Sequence, residues 1–267
     1  MLNVVALGPW SPSQVIATAV PSSRPIVKAV EAEIEDTWRA HINRLGEALF
    51  DGPMSRLESW QTVNSKLLLN LSSTSYRIFL GTNLCRADLS RQFGRQTLAN
   101  AVGMSVALRT DDGKLVMGRR NERVAYYPNR IHPFAGSLEP DDVPDVFAGI
   151  RRELSEELGL NADDLRNLKM LAIIEDQRLL QPEFIFSADT VRTSDQLPQT
   201  LDASEHEAIW ICDASALSLT ELLGKIDADG RCGSDQFTPV AVGTLLMFGR
   251  HFFGESWLDE NGKRFID

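Results

Sequence analysis

The chain has 267 residues, 43% of them hydrophobic, so it is long enough to bury a sizeable core. Its formal net charge of −10 excludes a nucleic-acid backbone as partner, because phosphate tracking needs clustered Lys and Arg. An anionic small molecule would have to be received by metal and a few placed arginines. Cys85, Cys212 and Cys232 are odd in number and lack CxxC spacing, which suits a reducing compartment. The apolar stretch Leu2 to Leu7 is short, has no basic flank and runs into Pro9-Trp10, so no signal peptide is expected. No run approaches the ~20 apolar residues of a membrane span. The expectation is a soluble cytoplasmic protein with no membrane partner.

In chain order, Leu2 to Gly8 reads as a strand and the Ser- and Pro-rich stretch Ser11 to Pro25 as a connection. Val27 to Leu49 has helical spacing through Ile34, Trp38 and Leu45. Leu57 to Val63 and Lys66 to Leu71 form an expected strand pair turned at Asn64-Ser65. The polar run Ser90 to Gln96 sets a boundary near residue 97. Val102 to Leu108 and Leu115 to Met117 are strands joined by Asp112-Gly113, a strong hairpin signal. Further strands are expected at Met170 to Glu175, Glu183 to Ala188 and Glu207 to Cys212, and closing helices at Leu219 to Ile226 and Val240 to Phe253. No repeat or long linker appears, so the two units should pack as one body.

Between these lies the most informative stretch, Arg152-Glu153-Leu154-Ser155-Glu156-Glu157-Leu158-Gly159-Leu160. Phe147, Ile150, Leu154 and Leu158 make one apolar stripe of a helix, and Gly159 stands where a helix stop belongs. At about 100° per residue, Glu153 and Glu157 project side by side along one edge of the stripe, with Glu156 slightly further round. Like charges at this spacing repel by a few tenths of a kcal/mol per pair, so the cluster calls for a cation. Hard oxygen ligands suit Mg²⁺, with Mn²⁺ as an alternative. A solvated surface helix, with Arg152 paired to Glu156, is the plainer reading.

The order of hairpin, glycine loop (Pro133 to Pro140) and acidic helix resembles the Nudix hydrolase family, whose motif runs Gly-x5-Glu-x7-Arg-Glu-U-x-Glu-Glu-x-Gly-U with U bulky and aliphatic. The second half matches at every specified position. In the first half, Gly136 is followed after five residues by Asp142 instead of Glu, and nine residues instead of seven precede Arg152. The family's Glu at that place braces the motif arginine, so either Asp142 or Asp145 takes that part here. The resemblance implies an α/β/α sandwich with a mixed sheet over residues 98–267, preceded by a small α/β accessory domain over residues 1–97 that reads the substrate.

Leu49 to Pro53, Ser73 to Asn83 and Gly118-Arg119-Arg120 through Leu138-Glu139-Pro140 are similar to the animal UDP-glucose pyrophosphatase subgroup of that family. This likeness runs from about residue 35 to residue 250. It implies metal ligation by Glu153 and Glu157, with Glu156 supplementary, and main-chain help from the Gly136 loop. It further implies that Arg120 receives the diphosphate, that Glu139 holds substrate or metal-bound water, and that Phe50 and Tyr76 wall the uracil. Arg119 should alternate to the opposite face. His41, His132 and His251 read as structural or exposed. Glu205 or Glu207, beside His206, is an expected fourth acidic group or base, and the choice stays open. Three activities are compatible: Mg²⁺-dependent hydrolysis of UDP-glucose or UDP-galactose to UMP and sugar 1-phosphate; hydrolysis of another diphosphate such as ADP-ribose, coenzyme A or a dinucleotide; or non-catalytic binding of a UDP-sugar. The intact glutamate set speaks against the last.

Overall fold

A computed structural model describes residues 2–45, 49–198, 201 and 205–266. Along the chain run β1 (Leu2–Trp10), β2 (Val15–Ala19), α1 (Lys28–Leu45), β3 (Pro53–Val63), β4 (Lys66–Ser75), α2 (Tyr76–Phe79) and α3 (Leu89–Phe93). There follow β5 (Gly103–Arg109), β6 (Lys114–Arg120), β7 (Ile131–His132), β8 (Phe134–Ser137), α4 (Val146–Leu158), β9 (Leu165–Asp176), β10 (Gln181–Thr190) and β11 (His206–Asp213). The chain closes with α5 (Ala216–Lys225), β12 (Arg231–Cys232), β13 (Asp235–Gln236), α6 (Pro239–Phe253) and α7 (Glu255–Gly262).

The large sheet has the order β1-β9-β10-β5-β6-β11, with β7 added beside β6 and β8 beside β5. It is mixed: β10 and β5 are parallel, and its other pairs antiparallel. Its central strands are buried on both faces, which explains why they read as continuous apolar runs. Met104, Val106 and Leu108 of β5 turn toward Phe147, Ile150, Leu154 and Leu158 of α4. Ala107, between them, turns toward Leu245, Leu246 and Phe248 of α6. The expected α/β/α sandwich is therefore present. Full burial of each such Leu or Phe contributes roughly 1.5–3 kcal/mol, and this anchors α4 rigidly on the sheet.

Both ends of α4 follow from its sequence. The Asp145 side chain accepts a hydrogen bond from the Phe147 amide at 3.0 Å, capping the first turn. Gly159 takes the left-handed conformation at φ 62°, which ends the helix.

Two elements, β2 and β1, depart from the sequence expectations, while α1 meets its own. Ser11 to Pro25 was expected to be a connection but contains β2, which pairs parallel to β4 through Val15↔Leu67 to Ala19↔Leu71. Only Ala17 of this edge strand is buried, so its apolar periodicity is weak. The helix expected over Val27 to Leu49 is α1; residues 46–48 of that span lie outside the described residues. Finally, β1 pairs antiparallel with β9 in the large sheet, although it precedes residue 97. The small sheet, of order β2-β4-β3, is built from residues 15–75.

The small sheet joins the large one by hydrogen bonds as well as by packing. The Ser55 amide donates to the Leu138 carbonyl at 2.7 Å, and the Val102 amide donates to the Ser55 carbonyl at 2.9 Å. Buried Arg56 donates to the Ala99 and Gln96 carbonyls at 3.1 Å each. Strand β3 is thereby fixed against the start of β5 and the loop after Gly136.

Candidate active site

On α4, Glu153 and Glu157 are mostly buried and Glu156 is exposed, with side-chain exposures of 13%, 15% and 60%. All three line one small recess together with Phe134, Glu205 and His206. Glu157 accepts from the Ala135 amide at 3.2 Å. Its other oxygen lies 3.0 Å from His206 Nδ1 yet off line for a hydrogen bond, so Glu157 Oε1 and His206 Nε2 are both buried without a partner. Burial pushes the Glu153 carboxyl up to about 8, opposed by Arg152 and reinforced by Glu157 and Glu156. Burial, then Glu205, raises Glu157 well above the ordinary range. Burial, then Arg120, lowers His206 to about 4, so at neutral pH this imidazole is neutral and offers a lone pair.

Such carboxyl groups hold protons until a cation replaces them. Ligating atoms of Glu157, Glu205 and His206 lie within 4.8 Å of one another, and the unpartnered Glu157 oxygen belongs to this group. The donor set fits a divalent metal ion. Gly136 leaves the room that Glu153 occupies.

Arg152 is held by Asp142 at 3.2 Å and by the Ser137 carbonyl at 3.4 Å, and it donates to Glu153 at 2.8 Å. Of the two aspartates considered as its brace, Asp142 is thus the partner; Asp145 caps α4 and pairs with Arg151 at 2.6 Å. Glu205 and Glu207 are both exposed, and of the two only Glu205 lines the recess. Glu205 lies in the turn before β11, where a register shift between His206 and Ala208 breaks simple strand alternation.

The recess opens on a cleft of about 630 Å³, with Glu205 shared between them. Phe50, Tyr76, Arg120 and Glu139 all line this cleft. Arg120 is 4% exposed, its Nε has no partner, and its guanidinium lies 4.7 Å from the centre of the Tyr126 ring. Arg119 points the other way and binds Asp235 at 2.5 Å. Glu139 lies 3.7 Å from Arg152. Phe50 is 74% exposed at the margin, while Tyr76 also packs beside Met54 and Phe79. The Tyr76 amide donates to the Gly52 carbonyl at 2.9 Å, and the Arg77 amide to Asp51 at 2.8 Å, so the two accessory motifs close on each other. Buried Thr82 and Asn83 secure this wall: Thr82 accepts from the Ala99 amide at 3.0 Å, and Asn83 donates to the Leu179 carbonyl at 2.9 Å.

Among the histidines, His132 is buried and bonded to Thr238 at 2.8 Å, and His41 is bonded to the Thr37 carbonyl at 2.8 Å. Sequence reasoning passed over His206, Gln181, Glu183 and Tyr126. For His206 and Glu183 the signal is glycine placement: a Cβ on Gly118 would lie 2.2 Å from the His206 ring, and one on Gly103 would lie 1.9 Å from Glu183.

Residues 99–231 match the NUDIX domain family, and with the sheet and acidic helix above they place this chain in the Nudix hydrolase family. The chain is similar to the uridine diphosphate glucose pyrophosphatase NUDT22 of Mus musculus, with 31% identity over 207 residues, covering 65% of this chain and 66% of that protein. It is also similar to the Homo sapiens protein of the same name, with 31% identity over 184 residues, covering 58% of this chain and 60% of that protein. The matched stretch spans just under two thirds of these relatives' length. Among solved structures, a NUDIX-family hydrolase from Clostridium perfringens is similar at 16% identity and a TM-score of 0.36, covering 60% of this chain and 96% of that one.

Proposed function

We propose that this chain hydrolyses the diphosphate of a nucleoside diphosphate sugar, with UDP-glucose or UDP-galactose as first candidates, to UMP and a sugar 1-phosphate. The observation that carries the reading is a partly unpartnered acidic recess that shares Glu205 with a cleft holding a buried arginine whose Nε has no partner. The names of the two mammalian relatives support the choice of substrate.

Glu153 and Glu157, supplemented by Glu156, would hold Mg²⁺ or Mn²⁺. When bound, the ion neutralises charge on the diphosphate and orients water. Arg152, fixed by Asp142 and Ser137, keeps the Glu153 carboxylate aimed past Gly136. The Arg120 Nε–H donates to a phosphate oxygen, a charge-assisted bond made stronger by burial; the Tyr126 ring beneath it keeps the guanidinium plane in place. Glu205, at the junction of recess and cleft, accepts the proton released as water attacks one phosphorus. Glu139 holds substrate at the loop, and Phe50 and Tyr76 of the accessory unit stack against the base. No Ser or Cys nucleophile is required.

UMP release from UDP-glucose, measured with and without Mg²⁺, is the test. Metal-dependent UMP release supports the reading. Failure on UDP-sugars with turnover of ADP-ribose, coenzyme A or a dinucleotide in the same assay would reassign the substrate, and binding of UDP-glucose without turnover would reassign the chain as a binder.

A further inference from the structure

Glu183 is a further buried carboxyl group at this site, and none of the roles above uses it. It stands on β10 opposite Gly103 of β5 in the parallel pair, is 6% exposed and lines the floor of the cleft with Gln181 and Arg120. Its Oε1 accepts a hydrogen bond from the buried Ser105 hydroxyl. Its Oε2 fills the space above Gly103, where a Cβ would lie 1.9 Å away; any other residue at 103 would push the carboxyl aside.

A carboxyl buried in a sheet is unfavourable unless its oxygens are satisfied. One serine satisfies one oxygen and leaves the other turned to the cleft. As a purely structural link between β5 and β10, the Ser105–Glu183 pair would be an unhelpful choice, since two apolar residues of the same size do as well there. Burial pushes Glu183 up to about 8, against the Ser105 hydrogen bond and nearby Arg120. With Oε1 taken by Ser105, the second oxygen keeps its hydrogen-bonding capacity at the cleft.

We infer that Glu183, oriented by Ser105 and given room by Gly103, is a specificity-determining residue that accepts a hydrogen bond from a neutral donor of the substrate next to the diphosphate, either a sugar hydroxyl or the base imide N–H. This rests on the reading of the cleft as a nucleoside diphosphate sugar site. With Arg120 taking the charge, Glu183 takes the uncharged end of the same ligand, and a site built to hydrogen-bond such a donor discriminates strongly against ligands that lack it.

The double variant Ser105→Ala/Glu183→Met removes both partners and leaves no buried polar orphan. Thermal melting, calorimetric binding of UDP-glucose and of UDP, and steady-state kinetics are measured on it and on the wild-type protein. The expected result is a melting temperature equal to or above wild type together with a Kd and KM for UDP-glucose raised about tenfold, and kcat changed less than KM. If UDP binding is unaffected, the donor is on the hexose; if UDP weakens in parallel, it is on the uridine. The single variant Glu183→Gln, which keeps the volume, is the control should the double variant fold poorly, and it should weaken UDP-glucose at least several-fold. Wild-type affinity in both variants, or lower stability with unchanged affinity, would overturn the inference. Wild-type protein that does not bind UDP-glucose at all would remove the reading of the cleft itself, and this inference with it.

Discussion

Gly136 and Glu153 face each other so closely that a Cβ on Gly136 would lie 2.0 Å from the Glu153 carboxyl carbon. The obstacle is the end of a side chain, not backbone, so Gly136→Ala can fold by turning Glu153 away. The expected outcome is a protein with wild-type circular dichroism and a rate lowered about a hundredfold, as an ångström-scale misplacement of a reacting group produces. Wild-type turnover in a folded Gly136→Ala variant would show that the position of Glu153 does not matter.

Glu153→Gln and Glu157→Gln keep side-chain size and lose the charge for a metal. Each should remove most of the activity, by about a hundredfold or more, while melting at or slightly above the wild-type temperature in metal-free buffer above about pH 8, where the crowded carboxylates would otherwise be charged. Activity against Mg²⁺ concentration decides it. Near-normal turnover at limiting metal in both variants is the result that contradicts the proposed site.

Phe50 and Tyr76 should separate binding from folding. Phe50 is 74% exposed, so Phe50→Ala is expected to raise KM for UDP-glucose with kcat and stability unchanged. Tyr76 also packs beside Phe79, with ring centres 6.4 Å apart, so Tyr76→Ala should raise KM and in addition cost about 2 kcal/mol of stability. A stability loss in Tyr76→Ala with an unchanged KM would make that ring plain core.

Buried carboxyls predict a pH dependence. Glu153 and Glu183, each pushed by burial from an ordinary 4.5 to about 8, bind protons more tightly folded than unfolded. Their protonated forms favour the fold at pH below the unfolded value, and that contribution is lost as pH rises from about 4.5 to about 8. Metal-free protein should therefore melt at progressively lower temperature across that window. Mg²⁺ should remove the share due to Glu153, and the Ser105→Ala/Glu183→Met variant the share due to Glu183. Melting curves in chelator and in Mg²⁺ over this range test it; a flat metal-free profile would mean that neither group is held protonated.

The acidic helix was readable from the chain because everything that defines it is local. The stripe from Phe147 to Leu158, the stop at Gly159 and the shared edge of Glu153 and Glu157 all follow from 3.6-residue periodicity within one element. The same holds for the hairpin at Asp112-Gly113, whose Gly113 has φ 74°. Choosing Asp142 over Asp145 for Arg152, or Glu205 over Glu207 for the recess, was beyond local pattern. Those choices rest on a loop two residues longer than the family motif and on a register shift at the start of β11. Likewise β1, first in the chain, joined the large sheet only through pairing with β9, some 165 residues later. Glu183 reads in the sequence as the first residue of a buried strand; only the parallel register of β10 on β5 sets it over Gly103 and beside Arg120. Periodicity determines which face of an element a side chain takes, whereas its partner across the sheet depends on register and loop geometry, which distant parts of the chain decide together.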